Sequence, residues 1–164
     1  MHEDARALEA PIARIERQLG AVTKDNAIVQ RFLAIPGVGL LTATALDGSV
    51  GRITAFRCAR QFASWLGLTP REHSSGPRRR LGSITTRGDV YLRCLHTHGA
   101  RAVLLTARRQ AAARKPLTGL QPWAVQLAAR KGHNKTTIAV ADELARIVWA
   151  VWTRDAVYTA ALAA

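Results

Sequence analysis

The sequence predicts an all-α fold carrying one irregular basic loop, on three observations. Apolar residues recur three and four apart through most of the chain, the spacing that gathers them on one face of a helix. Residues suited to helix ends stand between those runs: Pro36 and Gly37, Gly67, Pro122 and Gly132. A single stretch without periodicity carries Pro70, Gly76, Pro77, Gly82 and Gly88. The chain has 164 residues, one ordinary domain or a domain with an extension. At that size about 70% of the unfolded surface can be buried, so the core needs no disulfide. An apolar share of 48% excludes a disordered polymer. No run approaches the roughly 20 apolar residues of a membrane span, and the charged N-terminus lacks the apolar centre of a signal peptide. A cytoplasmic protein with no membrane partner is expected.

Residues 1–30 form a coiled-coil-like helical segment. Ala5, Leu8, Ile12, Ile15, Leu19 and Val22 alternate spacings of three and four, and Asn26 and Val29 continue the register. Pro11 should start or kink this helix, because proline removes one hydrogen bond and clashes one turn back. The stripe suits either a partner helix from another subunit or packing on its own domain. Residues 31–164 form the second unit. It opens with two helical runs around Pro36-Gly37-Val38-Gly39, the pattern of a helix-hairpin-helix. Gly37 and Gly39 allow close backbone approach, and the free N–H groups of the next helix can take a phosphate. The same turn also serves as a plain helix–helix connection.

Thr54 is a candidate cap for a helix with Phe56, Ala59, Phe62, Ala63 and Leu66 on its core face, and Gly67 suits the helix end. The aperiodic stretch from Leu68 to Asp89 follows, with short extended pieces near Arg80 to Thr85. Helix then resumes from Asp89 to about Gln110, with Tyr91, Leu95, Ala102 and Leu105 facing inward. A further helix runs from Pro122 to Gly132. A last one, capped by Asn134, runs to about Thr159 with Ile138, Leu144, Ile147, Val148 and Val151 inward. Trp149 and Trp152 suit a core or an interface.

Charge narrows the partner. Lys and Arg number 24 against 11 Asp and Glu, a net +13, and no acid occurs between Asp89 and Asp142. Such a field attracts polyanions, nucleic acid first, with an acidic surface or a solvated basic face as the alternatives. Cys58 and Cys94 fit no metal spacing, His96 and His98 do not share a helix face, and Asp142 and Glu143 are adjacent. No metal site is expected in this chain. The loop is where chemistry can sit. Ser74, Ser75 and Gly76 precede Arg78, Arg79 and Arg80, with Arg87 further on. A serine hydroxyl can attack phosphorus when it is activated and the developing charge is held, and the guanidinium fork suits phosphate. The plainer alternative makes the serines turn residues and the arginines simple DNA contacts. Histidine is a residue type that serves as a general base, but adjacency to Ser74 does not place His73 in that role.

The ordered motifs IPGVGLLTATAL, FRCARQFASWLGLTP, SSG with its basic run, RGDVYLR and the late HNKTTIAVADELARIVWAVW resemble the C-terminal domain of transposases of the insertion-sequence one-ten/one-sixteen/nine-oh-two family, relatives of the pilin-gene invertases. The resemblance spans Ile35 to Trp152. It implies a DNA recombinase domain acting in DNA transposition, with the serine before glycine, Ser75, as a nucleophile that links covalently to DNA. With the reading of the turn and the loop given above, DNA contacts are expected from Gly37, Gly39, Ser74, Gly76, Arg78, Arg79, Arg80 and Arg87. The family's usual Gly-Lys is Pro77-Arg78 here, and its common Ser-Lys is Thr85-Thr86. The family's nuclease-like N-terminal domain, with its acidic Mg²⁺-binding quartet, is not among these residues. Mg²⁺ is therefore expected only with that domain, and no cofactor within this chain. Implied partners are DNA, a guide RNA as in some members, and either a second copy or a full-length transposase. The alternative function is a non-enzymatic DNA- or RNA-binding accessory of a mobile element.

Overall fold

The computed structural model describes residues 2–78 and 80–160, with side chains from residue 7 onward. The described residues form seven α-helices and one small two-stranded sheet, so the all-α class holds. Helix α1, His2–Val22, runs through Pro11 without a break. The expected start at Pro11 does not occur; the missing N–H costs the helix one bond, and the helix continues on either side. Leu8, Ile12 and Ile15 are 60%, 52% and 58% exposed, so the stripe does not pack on this chain's own core. The side chain of Ala5 lies outside the described residues.

The apolar register does not continue past Val22. Asn26 instead caps α2, Ala27–Leu33, accepting from the N–H groups of Ile28 and Val29 at 3.0 and 3.2 Å. Its amide donates to Asp47 Oδ2 at 2.7 Å, tying this corner to α3, Leu40–Val50. Val29 is fully buried. Position 30 therefore lies inside α2. Thr54 sits within a 3-10 turn, Ile53–Ala55, rather than capping a helix; α4, Ala59–Trp65, begins after Cys58. Gly67 follows the end of α4 with φ +74, the left-handed stop that its sequence position suggests.

The aperiodic stretch is a hairpin. Strand β1, Pro70–Glu72, pairs antiparallel with β2, Leu81–Ile84, with Pro70 opposite Ile84 and Glu72 opposite Leu81. Helix α5, Val90–Ala112, is capped by Asp89, which accepts from the Leu92 N–H at 2.8 Å. Its inward face is Leu92, His96, Ala100, Val103, Leu104 and Ala107, rotated from the expected one; Tyr91 and Leu105 are about half exposed. Apolar residues surround this helix, so its spacing alone fits more than one face, and the neighbours decide which is covered. His96 is 1% exposed.

Helix α6, Gln121–Lys131, carries Pro122 in its first turn. Helix α7, His133–Thr153, starts after Gly132, so Asn134 lies inside its first turn and does not cap it, and it ends short of Thr159. α7 is the central post, packed against α2, α4, α5 and α6 through Val140, Leu144, Val148 and Val151. Trp149 donates to the Phe56 carbonyl at 3.3 Å, and Trp152 meets Phe32 edge-on at 5.1 Å. Both indoles are thus partners of the core.

Candidate nucleic-acid interface and serine site

The hairpin is held at its base by two backbone approaches. A Cβ on Gly67 would fall 2.3 Å from the Arg87 carbonyl oxygen, and one on Gly88, at φ +116, would fall 1.8 Å from the Trp65 carbonyl oxygen. Only hydrogens fit there. Arg93 of α5 donates to the Leu66 carbonyl at 3.2 Å, and the N–H groups of Thr85 and Thr86 reach the carbonyls of Thr69 and Gly67 at 3.1 and 3.3 Å. The strands therefore rise from a junction fixed to the end of α4 and the start of α5.

At the far end the chain reverses over Ser75-Gly76-Pro77-Arg78, closed by Arg78 N–H to the Ser75 carbonyl at 3.3 Å. Gly76 has φ +58 and Pro77 is locked near −65°, the pattern of a type II′ turn, the type whose twist suits a hairpin. Gly76 thus serves the turn itself, and a Cβ there would meet open space. Ser75, Gly76, Arg78 and Arg80 are all exposed here. Arg79 lies outside the described residues. Arg87 is exposed but stands at the base of the hairpin, not the tip.

The two serines differ. Ser74 Oγ donates to Glu72 Oε1 at 2.9 Å and accepts from the Arg80 N–H at 3.1 Å. It is a strap across the hairpin. Ser75 Oγ has no hydrogen-bond partner among the described residues. Sequence reasoning missed Glu72: β1 ends there and Ser74 lies beyond it, so strand alternation does not signal the pair. The His73 N–H donates to the Arg80 carbonyl at 2.8 Å, and its ring lies beside Gly82, where a Cβ would stand 3.3 Å from Nε2. The ring is therefore packed on β2, away from the turn that holds Ser75. Glu72 is the single carboxylate between Leu68 and Gly88. One carboxylate amid arginines does not fit a Mg²⁺ site, and among the described residues no group of three His, Cys, Asp or Glu side chains is placed to hold a cation.

The Pro36-Gly37-Val38-Gly39 turn stands apart. Gly37 has φ +90, and a Cβ there would fall 2.7 Å from Val103 and 3.0 Å from the Gly99 carbonyl oxygen; a Cβ on Gly99 would fall 2.0 Å from the Gly37 carbonyl oxygen. Ile35 and Val38 are buried. Gly37 is used for packing against α5. Gly39 is exposed and begins α3 with no side-chain cap. Gly99 lies ten residues beyond Asp89, about 15 Å along the helix axis. The turn and the hairpin are thus anchored at different levels of α5.

The site thus combines a basic helical scaffold, an exposed Ser-Gly turn and an arginine-bearing hairpin, and the proteins the chain is similar to are named as transposases. A profile described as the transposase IS116/IS110/IS902 family matches residues 29–116, from α2 to just beyond α5, and so includes both turn and hairpin. The chain is 43% identical over 158 residues to a probable family 20 transposase of Pseudomonas aeruginosa, covering 96% of this chain and 45% of that protein. It is 42% identical over 147 residues to the transposase for insertion sequence element IS1111A of Coxiella burnetii, covering 90% and 39%. It is 33% identical over 159 residues to the transposase for insertion sequence element IS1328 of Yersinia enterocolitica, covering 97% and 46%. The chain belongs to the IS116/IS110/IS902 transposase family. It spans less than half the length of these relatives.

Proposed function

We propose that this chain is a DNA-handling domain of a transposase, with the hairpin as its DNA contact and the Ser75 hydroxyl as a nucleophile in DNA phosphoryl transfer. The observation that carries this is the exposed Ser75 beside the two-residue turn Gly76-Pro77, with the exposed Arg78 and Arg80 on the same hairpin. In the step, Ser75 Oγ bonds to phosphorus as a P–O bond to deoxyribose breaks. The hydroxyl proton leaves to a base, and the departing oxygen ends as a hydroxyl. Arginines hold the charge on the phosphate. The hairpin's one carboxylate, Glu72, is taken up by Ser74. The base, and any Mg²⁺ chemistry, would therefore come from elsewhere, such as a further domain of a full-length transposase. A structured guide RNA is a second polyanion the same cations could hold.

The test is a salt titration of duplex binding. Removing one phosphate-binding cation lowers the log–log slope by about 0.9 on duplex DNA, so Arg78→Ala, Arg79→Ala and Arg80→Ala together should lower it by about 2.7. An unchanged slope removes the hairpin from the interface. Ser75→Ala should leave that slope intact and abolish a covalent protein–DNA adduct formed with a metal-bearing partner. The unassisted Ser75 hydroxyl favours one second reading, a binding module that performs no chemistry; an adduct that forms with wild type and not with Ser75→Ala excludes it.

A further inference from the structure

Strands β1 and β2 face α6 and the first half of α7 across a groove of about 1040 Å³. Its size lies at the upper end of the roughly 300–1000 Å³ that enclose a drug-sized molecule. Its floor is apolar, with Leu68, Ile84, Ile138 and Ala139 partly or fully buried. Its rim is cationic, with Arg60, Lys131 and Lys135 all exposed. Trp123, at the start of α6, lines it with 38% of its surface exposed.

Two carboxylates, Asp142 and Glu143, also line the groove, and both are held by Arg146, at 2.9 and 3.8 Å. They leave the rim cations unneutralised while making the floor unwelcoming to phosphate. An anionic backbone is therefore drawn to the rim and repelled from the floor, and the floor accepts flat apolar groups. Duplex DNA keeps its base faces stacked and cannot lay them on such a floor. An unpaired strand offers both: phosphates outside, bases free to turn inward and stack. The aliphatic floor further suits the thymine methyl group.

We propose that this groove receives an unpaired DNA strand, with phosphates along Arg60, Lys131 and Lys135 and a base stacked on Trp123. The proposal shares with the proposed function the premise of a polynucleotide partner, and it uses none of the hairpin-tip residues.

Fluorescence anisotropy of the full chain with labelled oligothymidylate tests it. Trp123→Ala should weaken binding about tenfold or more, the cost of removing one base–aromatic stack. Trp123→Phe should keep most of it, which guards against simple misfolding. Lys131→Ala with Lys135→Ala should lower the single-strand salt slope by about 1.4. All three variants should bind duplex as wild type does. Unchanged oligothymidylate binding, or duplex and single-strand binding falling in parallel, overturns the proposal. Oligouridylate binding as tight as oligothymidylate overturns the assignment to DNA. Wild type that binds only duplex sinks the groove and spares the hairpin; wild type that binds only the single strand does the reverse.

Discussion

Gly37 and Gly99 show how one atom settles the placement of a motif. A Cβ on Gly99 would overlap the Gly37 carbonyl oxygen, and one on Gly37 would overlap the Val103 side chain and crowd the Gly99 carbonyl. The proline-glycine turn could have been a phosphate cradle by its residue types alone; packing on α5 gives Gly37 a structural duty instead. Gly99→Ala should therefore destabilise by about 2–3 kcal/mol, the cost of overpacking. That corresponds to a fall in Tm of roughly 5–10 °C for a chain of this size, read by calorimetry. A Tm within a degree of wild type would mean that α5 and the turn do not touch. At the hairpin tip the residue scale separates two neighbours: Ser74 is tied to Glu72 and the Arg80 backbone, and Ser75 is left available.

At the scale of the element, α1 is the one whose apolar face the chain leaves uncovered. Leu8, Ile12, Ile15 and Val22 lie on one stripe and are each more than half exposed. Spacings of three and four make that stripe complementary to another of its kind, so a second copy of the chain is the occupant we propose. Ile12→Asp with Ile15→Asp should convert an oligomer to monomer in sedimentation velocity and leave far-ultraviolet dichroism nearly unchanged. Wild type that sediments as a monomer at all concentrations rejects this pairing. The hairpin teaches a different lesson. Its type II′ turn is spelled in Gly76-Pro77, but its strands are too short and too polar to announce themselves by alternation, and pairing alone defines them.

Across the whole molecule, α7 organises the core and His96 marks a cost inside it. Its Nδ1 lies 2.8 Å from the Leu92 carbonyl, and Nε2 is buried without a partner among the described residues. Burial pushes its pKa below the ordinary 6.5, against a smaller opposing effect of the Leu92 hydrogen bond. The unfolded chain then binds the proton more readily than the folded one. Stability is full above about pH 6.5 and falls as the pH drops through that value, by up to about 1.4 kcal/mol per pH unit. Chemical denaturation between pH 7.5 and 5, on a scale of about 1 kcal/mol, should show this loss, and His96→Leu should flatten it. A loss of equal size in His96→Leu would place the acid sensitivity in other groups.

Helix content, the stop at Gly67 and the basic Ser-Gly-Arg segment were all legible in the sequence, because each is set by local backbone chemistry or by counting charges. The motif order around them sufficed for the family. Tertiary structure decided the rest: which face of α5 is buried, where Gly37 points its backbone, that Ser74 is strapped while the Ser75 hydroxyl has no partner among the described residues, and that Trp123 joins rim cations from α4, α6 and α7 around one groove. Those are facts about residues distant in the chain, and spacing along a chain carries no information on which distant surfaces meet until packing selects them.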